Sequence, residues 1–389
     1  MPKHQSKIEK LIAEHCPKGV EFKKLGEVCE IADNKRKPVA SSLRVAGKIP
    51  YYGANNIQDY VEGFTHEGDY VLIAEDGSAS LENYSIQFAS GKFWANNHVH
   101  VVRGCNELNN KFLFHYLRSM NFVPYLTGGT RAKLTKGKML EIKIPIPPLD
   151  IQQEVAKILN TFTKLEAELE AELEARKKQY EHYRSELLTF KDGTERERVR
   201  WAALSEIGKV SMCKRIFKNQ TSATGDIPFY KIGTFGKEPD AFISQEIFDE
   251  YRKKYSFPKK GDVLISASGT IGRMVIYDGK PAYFQDSNII WIDNDESKVL
   301  NKFLYYLYAI VKWQTEGGTI KRLYNDNLKK IKIPVPSLDE QKRVVSVLDK
   351  FDALVNDISI GLPAELSARR SQYEYYRGKL LTFNEYVPA

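Results

Sequence analysis

Six short stretches of the chain together supply cations, amides and hydroxyls, the groups that neutralise phosphates and hydrogen-bond to base edges. Lys35, Arg36 and Lys37 form the first, Asn55, Asn56 and Gln58 the second, and Thr130, Arg131, Lys133 and Lys136 the third. Lys214, Arg215, Lys218 and Asn219 follow, then Lys231 and Thr234, then Thr319, Lys321, Arg322 and Asn325. A GGT turn at 128–130 recurs at 317–319, and glycine there lets the backbone approach a ligand closely. Any one of these residues reads equally well as a solvated surface charge. Their recurrence at matching places with differing side chains is what two readers of different sequences should look like.

Motifs for other chemistry are missing. There is no GxxxxGK[ST] loop to wrap a phosphate, and "GTRAKLTKGK" lacks that spacing. No GxGxxG follows a strand-like run, and "IPIPPLD" has leucine where a DNA amino-methyltransferase needs an aromatic residue after its two prolines. His98 and His100 form an HxH on a strand-like run, but no third metal ligand is signalled, so they read as structural or polar-contact residues and no metal is expected. Cys16, Cys29, Cys105 and Cys213 are scattered, without a CxxC, as reduced thiols of a cytoplasmic protein. No apolar run is long enough to span a membrane, and the N-terminal stretch has no signal-peptide core.

The net charge of +8 is unevenly placed. Residues 150–190 hold six Lys/Arg against nine Asp/Glu, and 339–383 hold seven of each, so all the excess lies elsewhere. Basic surface on two separate regions suggests a polyanion, most simply nucleic acid.

The elements that must position these loops come in two copies. "ELEARKKQYEHYRSELLTF" (172–190) and "ELSARRSQYEYYRGKLLTF" (365–383) agree at thirteen of nineteen positions. Upstream, "IPIPPLDIQQEVAKILNTFTKL" (144–165) matches "IPVPSLDEQKRVVSVLDKFDAL" (333–354). Fainter echoes continue backwards in the same order: "GDYVLIAEDGS" with "GDVLISASGT", "FWANNHVHVV" with "YFQDSNIIWI", "NKFLFHYL" with "NKFLYYLY". The chain is one unit twice, each a divergent mixed α/β half followed by a similar helical arm. Short β-branched and aromatic runs such as "DYVLIAE", "HVHVV", "DVLISAS" and "NIIWI" predict the strands.

In the first arm Ile151, Val155, Ile158, Phe162, Leu165 and Leu169 are spaced 4, 3, 4, 3, 4, a coiled-coil seam continued by Tyr180, Tyr183, Leu187 and Phe190. Pro147 and Pro148 precede it, Asp150 is a candidate cap, and no Gly or Pro interrupts 149–190. Val344, Val347, Phe351, Leu354 and Ile358 start the second seam, and Tyr373, Tyr376, Leu380 and Phe383 continue it. "GLP" at 361–363 predicts a break there, with a second helix from about Pro363 to Phe383. Two similar seams most simply pack on each other, the alternative being that each packs on its own globular half. The expected boundaries are 1–147 and 191–336 for the globular halves (191–198 being a linker) and 148–190 and 337–389 for the helical regions.

The repeated arms, with "IPIPPLDIQQEVAKIL" answered by "IPVPSLDEQKRVVSVL", resemble those of the specificity subunit of type I restriction-modification systems, over essentially the whole chain. That resemblance implies an α+β protein: two target-recognition domains in pseudo-two-fold repeat, joined by two long helices forming an antiparallel coiled coil. It implies a non-catalytic DNA-binding subunit, each domain reading half of a bipartite, asymmetric double-stranded target, with the coiled coil setting the spacer. The partners implied are two methyltransferase subunits and restriction-translocase subunits. They would use S-adenosylmethionine, ATP and Mg2+, while this chain needs no cofactor. The four extra residues of the second arm, near "GLP", make the arms unequal. A stand-alone DNA-processing enzyme and a coiled-coil scaffold that binds only protein remain the competing readings.

Overall fold

The computed structural model describes residues 7–129, 132–190, 199–313 and 322–386, so the expected linker at 191–198 and the second GGT turn lie outside the described residues. Two compact units divide the chain: residues 1–170 with 365–389, and residues 171–364.

The first unit begins with helix α1 (Lys7–His15), strand β1 (Phe22–Lys24), the one-turn helix α2 (Leu25–Val28) and strand β2 (Cys29–Ile31). Strands β3 (Ala46–Gly53), β4 (Asn56–Val61), β5 (His66–Glu67), β6 (Tyr70–Ala74), β7 (Ile86–Ala89), β8 (Lys92–Ala95) and β9 (Val99–Gly104) follow. Helix α3 (Asn110–Ser119), helix α4 (Lys136–Leu140), strand β10 (Lys143–Pro145) and the long helix α5 (Leu149–Leu188) come next. One sheet has the order β2-β9-β6-β7 and another β4-β3-β8-β5. "YVLIA" of β6 is central because it is apolar on both faces, and every one of its residues is buried. Alternation sends Val71 and Ile73 into a core with Phe112, Leu113 and Leu117 of α3. Tyr70 and Leu72 go to the other side, against Tyr52, Phe93 and Val101.

The second unit repeats this plan with strand β11 (Arg200–Ala203), helix α6 (Leu204–Ile207) and strands β12 (Gly208–Ser211), β13 (Ile227–Tyr230) and β14 (Phe242–Ile243). An added helix α7 (Gln245–Lys254) precedes β15 (Val263–Ser266), β16 (Met274–Ile276), β17 (Tyr283–Phe284) and β18 (Ile289–Asn294). Helix α8 (Asn301–Tyr308), helix α9 (Asn325–Lys330), strand β19 (Lys332–Val335) and the arm helix α10 (Leu338–Asn356) complete it. Its sheets run β12-β18-β15-β16 and β14-β13-β17, the counterparts of those in the first unit. Helix α11 (Leu362–Leu381) closes the chain and belongs almost wholly to the first unit.

The arms form the expected antiparallel pairing in two parts. Helix α5 is unbroken over 40 residues, of which 149–170 belong to the first unit and 171–188 to the second. It starts at Leu149, one residue before the expected cap, and Asp150 sits in its first turn, where a carboxylate favours the helix dipole. In the first unit Phe162 stacks on Tyr376 with ring centres 5.4 Å apart, while Arg370 hydrogen-bonds to Glu166 and Glu170. Partner numbers fall as α5 advances, so the helices run antiparallel. In the second unit Tyr180 and Tyr183 stack on Phe351 of α10 at 6.2 and 5.4 Å.

The first turns of α5 do something else. Ile151, Val155 and Leu159, each four apart, are fully buried in a core that joins α3 of their own globular half with Tyr373, Leu380 and Leu381 of α11. Both alternatives for the arms therefore hold at once. Leu165, read as a seam residue, is 39% exposed. The second arm breaks as expected: α10 ends at Asn356, the Asp357 carboxylate accepts from the Ser359 and Ile360 amides, and α11 starts at Leu362. Gly361 is required there, since a Cβ would lie 2.4 Å from the Ala353 carbonyl oxygen.

Candidate nucleic-acid interface

The expected cations of the first unit divide sharply. Lys35 and Lys37 are exposed on either side of Arg36, but Arg36 turns inward. Its Nη1 donates to a Glu75 carboxylate oxygen at 2.7 Å and to the Val99 carbonyl at 2.8 Å, and its Nε donates to the Asp33 carbonyl at 3.1 Å. Lys133 Nζ reaches the other Glu75 oxygen at 2.8 Å. Burial acts to raise the Glu75 carboxyl, but the hydrogen bonds from Lys133 and Arg36 hold it below its ordinary range. Asp33 behaves alike: burial works against its charge, and bonds from His100 and the Val101 amide win. Arg36 is thus a structural cation, and the buried His100, hydrogen-bonded to Asp33 and to the Leu134 carbonyl, is structural too.

Asn55, Asn56 and Gln58 are exposed on the β3–β4 hairpin. Asn55 is occupied: its amide donates to the Gly77 carbonyl at 2.7 Å and accepts from the Ala79 amide, tying the turn after β6. Lys136 is exposed as the first residue of α4. Thr130 and Arg131 lie outside the described residues.

In the second unit Arg215, Lys218, Lys231 and Arg322 line one cavity of about 510 Å³, together with Gln285, Asp286 and Asn288. Four separate segments meet there, which sequence spacing alone does not reveal. Arg215 pairs with Asp286 at 2.9 Å, Lys231 with Asp240 at 2.9 Å, and Arg322 donates to the Ser287 carbonyl at 2.8 Å. Lys214, its ammonium over the Tyr255 ring, and Asn219 are exposed nearby in sequence, and Thr234 closes the turn begun by Lys231. Asn325 is exposed at the start of α9, while Thr319 and Lys321 lie outside the described residues. Cations, amides and hydroxyls are the side-chain types that can hold phosphates and hydrogen-bond to bases.

The main-chain frame behind these loops is the same in both units. The Glu75 amide donates to the His98 carbonyl, as the Ala267 amide does to Asn288. The Leu134 amide donates to Glu75, as Leu323 does to Ala267. Asp76 bridges to Lys133, as Ser268 bridges to Arg322. Sequence reasoning did not single out Asp76, Ser268 or Asn288, which stand on this frame, and read His98 as a structural or polar-contact residue. The signal was present: the repeat alignment sets His98 of "FWANNHVHVV" opposite Asn288 of "YFQDSNIIWI". Elsewhere, burial pushes the Cys29 and Cys213 thiols up to about 12, which leaves them protonated and inert as nucleophiles.

Among the expected helix-packing residues, Ile151, Val155, Tyr180, Val344, Tyr373 and Leu380 are buried. Ile158, Phe162, Leu169, Leu187, Val347 and Phe351 are half-buried, whereas Leu165, Tyr183, Leu354 and Tyr376 are exposed on the described chain. Leu159, Leu188, Leu348, Val355 and Leu381, not anticipated, are buried as well, since each arm helix packs against more than one neighbour.

Comparison with known proteins adds independent findings. The family model described as type I restriction modification DNA specificity domain matches twice, over residues 17–175 and 199–368. A putative type I restriction enzyme specificity subunit of Haemophilus influenzae is 63% identical over 374 residues, covering 94% of this chain and 96% of its own. A type I restriction enzyme specificity subunit of Escherichia coli is 30% identical over 396 residues, covering 94% of each. Among solved structures, the type I restriction-modification S subunit from M. genitalium has a similar fold (TM-score 0.63, 17% identity), covering 93% of this chain and 96% of that one.

Proposed function

The chain belongs to the type I restriction-modification DNA specificity family, and from that premise we propose how its parts divide the work. It is a specificity subunit with two DNA-recognition domains. Residues 1–147 and 191–336 are the domains that each read one half of a bipartite, asymmetric target. The helical regions 148–190 and 337–389 set the unread spacer and dock two methyltransferase subunits, which restriction-translocase subunits then join. Methyl transfer from S-adenosylmethionine and ATP- and Mg2+-dependent cleavage belong to those partners, and the chain works in the cytoplasm without a cofactor of its own. Lys35, Lys37 and Lys136 in one domain, and Lys214, Arg215, Lys218 and Lys231 in the other, neutralise phosphates.

One observation carries this reading: a single main-chain frame occurs twice, and the side chains on its loops differ between the copies. A shared frame with different loops suits two readers of unlike half-sites. The test is to express the chain with its cognate methyltransferase subunit and map the methylated bases genome-wide. Two defined half-sites with a fixed gap are expected. A one-part motif, or Mg2+-dependent cleavage by the isolated chain, would overturn it.

A further inference from the structure

Three residues from three separate segments are brought side by side at one corner of each central sheet. In the first unit they are Asp76, just past β6, His98, just before β9, and Lys133. In the second they are Ser268, Asn288 and Arg322, at the same places in the hydrogen-bonded frame. In each set two side chains are bonded to each other, while Lys133 Nζ bonds to Glu75 and Arg322 to the Ser287 carbonyl. Asp76 Oδ1 lies 2.5 Å from His98 Nδ1, and Ser268 Oγ lies 2.8 Å from Asn288 Oδ1. The pairs are held yet open: His98 is 49% exposed and Asp76 39%. Among the described residues no partner is found for the second Asp76 oxygen, His98 Nε2, the Asn288 amide nitrogen or the Nε and Nη1 of Arg322.

Deepening the specificity-subunit reading, and resting on it, we propose that these two triads are the base-reading centres of the two domains. A carboxylate is repelled by phosphate, so the useful DNA partner of Asp76 is an exocyclic amine, in the major groove that of cytosine or adenine. His98 and Glu75 hold Asp76 and Lys133 in position, as second hydrogen bonds do for any group that must present a fixed direction. The second domain presents the complementary chemistry. Arg322 offers paired donors in the geometry that suits the O6 and N7 of guanine, and the Asn288 amide can donate to the N7 of adenine while accepting from its N6 amine, so it reads a purine. The frame fixes where the triad stands, and its side chains fix which base it prefers.

The experiment selects binding sequences from randomised DNA duplexes with the chain in complex with its methyltransferase subunit. Asp76→Asn and His98→Ala should lose discrimination about 10- to 100-fold at one or two adjacent positions of a single half-site. Asn288→Ala and Arg322→Lys should do the same in the other half only. Transplanting Asp76→Ser, His98→Asn and Lys133→Arg together should give the first half-site the preference of the second at those positions. Thermal melting identifies any variant that fails to fold, for which Asn288→Asp and Asp76→Glu are substituted. If affinity falls uniformly while both half-sites keep their sequence, the triads hold phosphates and the proposal falls, though the specificity-subunit reading stands. If the unaltered complex selects no two-part sequence, both fall.

Discussion

Gln152 and Gln341 are wholly buried polar side chains, and they occupy the same place in the two arms. Gln152 donates to the carbonyls of Pro147 and Glu107 at 2.7 and 2.8 Å and accepts from the Asn109 amide at 2.8 Å. Gln341 does the same with Pro336, Lys298 and Leu300. Each thus locks the first turn of an arm to the helix start of its own globular half. Gln152→Ala or Gln341→Ala strands three backbone groups in the core and should cost about 3 kcal/mol, checked by urea unfolding. His115 is buried among Asn160 and the Tyr373 ring, and burial pushes its imidazole down to about 4. The unfolded chain then takes up a proton near pH 6.5 that the folded chain refuses until about 4. Stability should fall as pH drops across that window, and His115→Gln should flatten the fall, read from melting temperature against pH.

The arms show which helix contacts matter. Tyr373 is buried between α3 and α5, while Arg370 bonds to Glu166 and Glu170 from a half-exposed position. Exposed ion pairs lose most of their Coulomb energy to water and salt. Arg370→Ala should therefore change stability by less than about 1 kcal/mol, whereas Tyr373→Ala should cost about 3 kcal/mol, both from denaturant titrations. The heptad-like spacing revealed the arms well, because a long run without Gly or Pro has few other solutions. It was less informative at Leu165 and Leu159. One-dimensional spacing shows that a helix has an apolar face, but not how many neighbours will use it.

For the chain as a whole, basic surface lies in the globular halves, and affinity for DNA should fall steeply with salt. Reversing Arg215, Lys218 and Lys231 to glutamate should abolish binding in a filter assay at moderate salt. Replacing Lys35 and Lys37 with alanine should weaken binding evenly and reduce the salt slope by about two. The repeat, the two arms, their break at Gly361 and the family were legible in the sequence. Each is local or periodic: an identity in register, a four-three spacing, a glycine and proline between two helical runs. The site was legible only in part. Lys35, Arg36 and Lys37 are indistinguishable along the chain, and only folding turns Arg36 inward, because its partner Glu75 lies 39 positions away. The same holds for the cavity that gathers Arg215, Lys231 and Arg322, and for the corner that sets Asp76 beside His98. Composition and periodicity determine that there are two basic domains on helical arms. Which charges are spent inside and which face outward is decided by long-range pairing, since a cation's role depends on the nearest carboxylate in space.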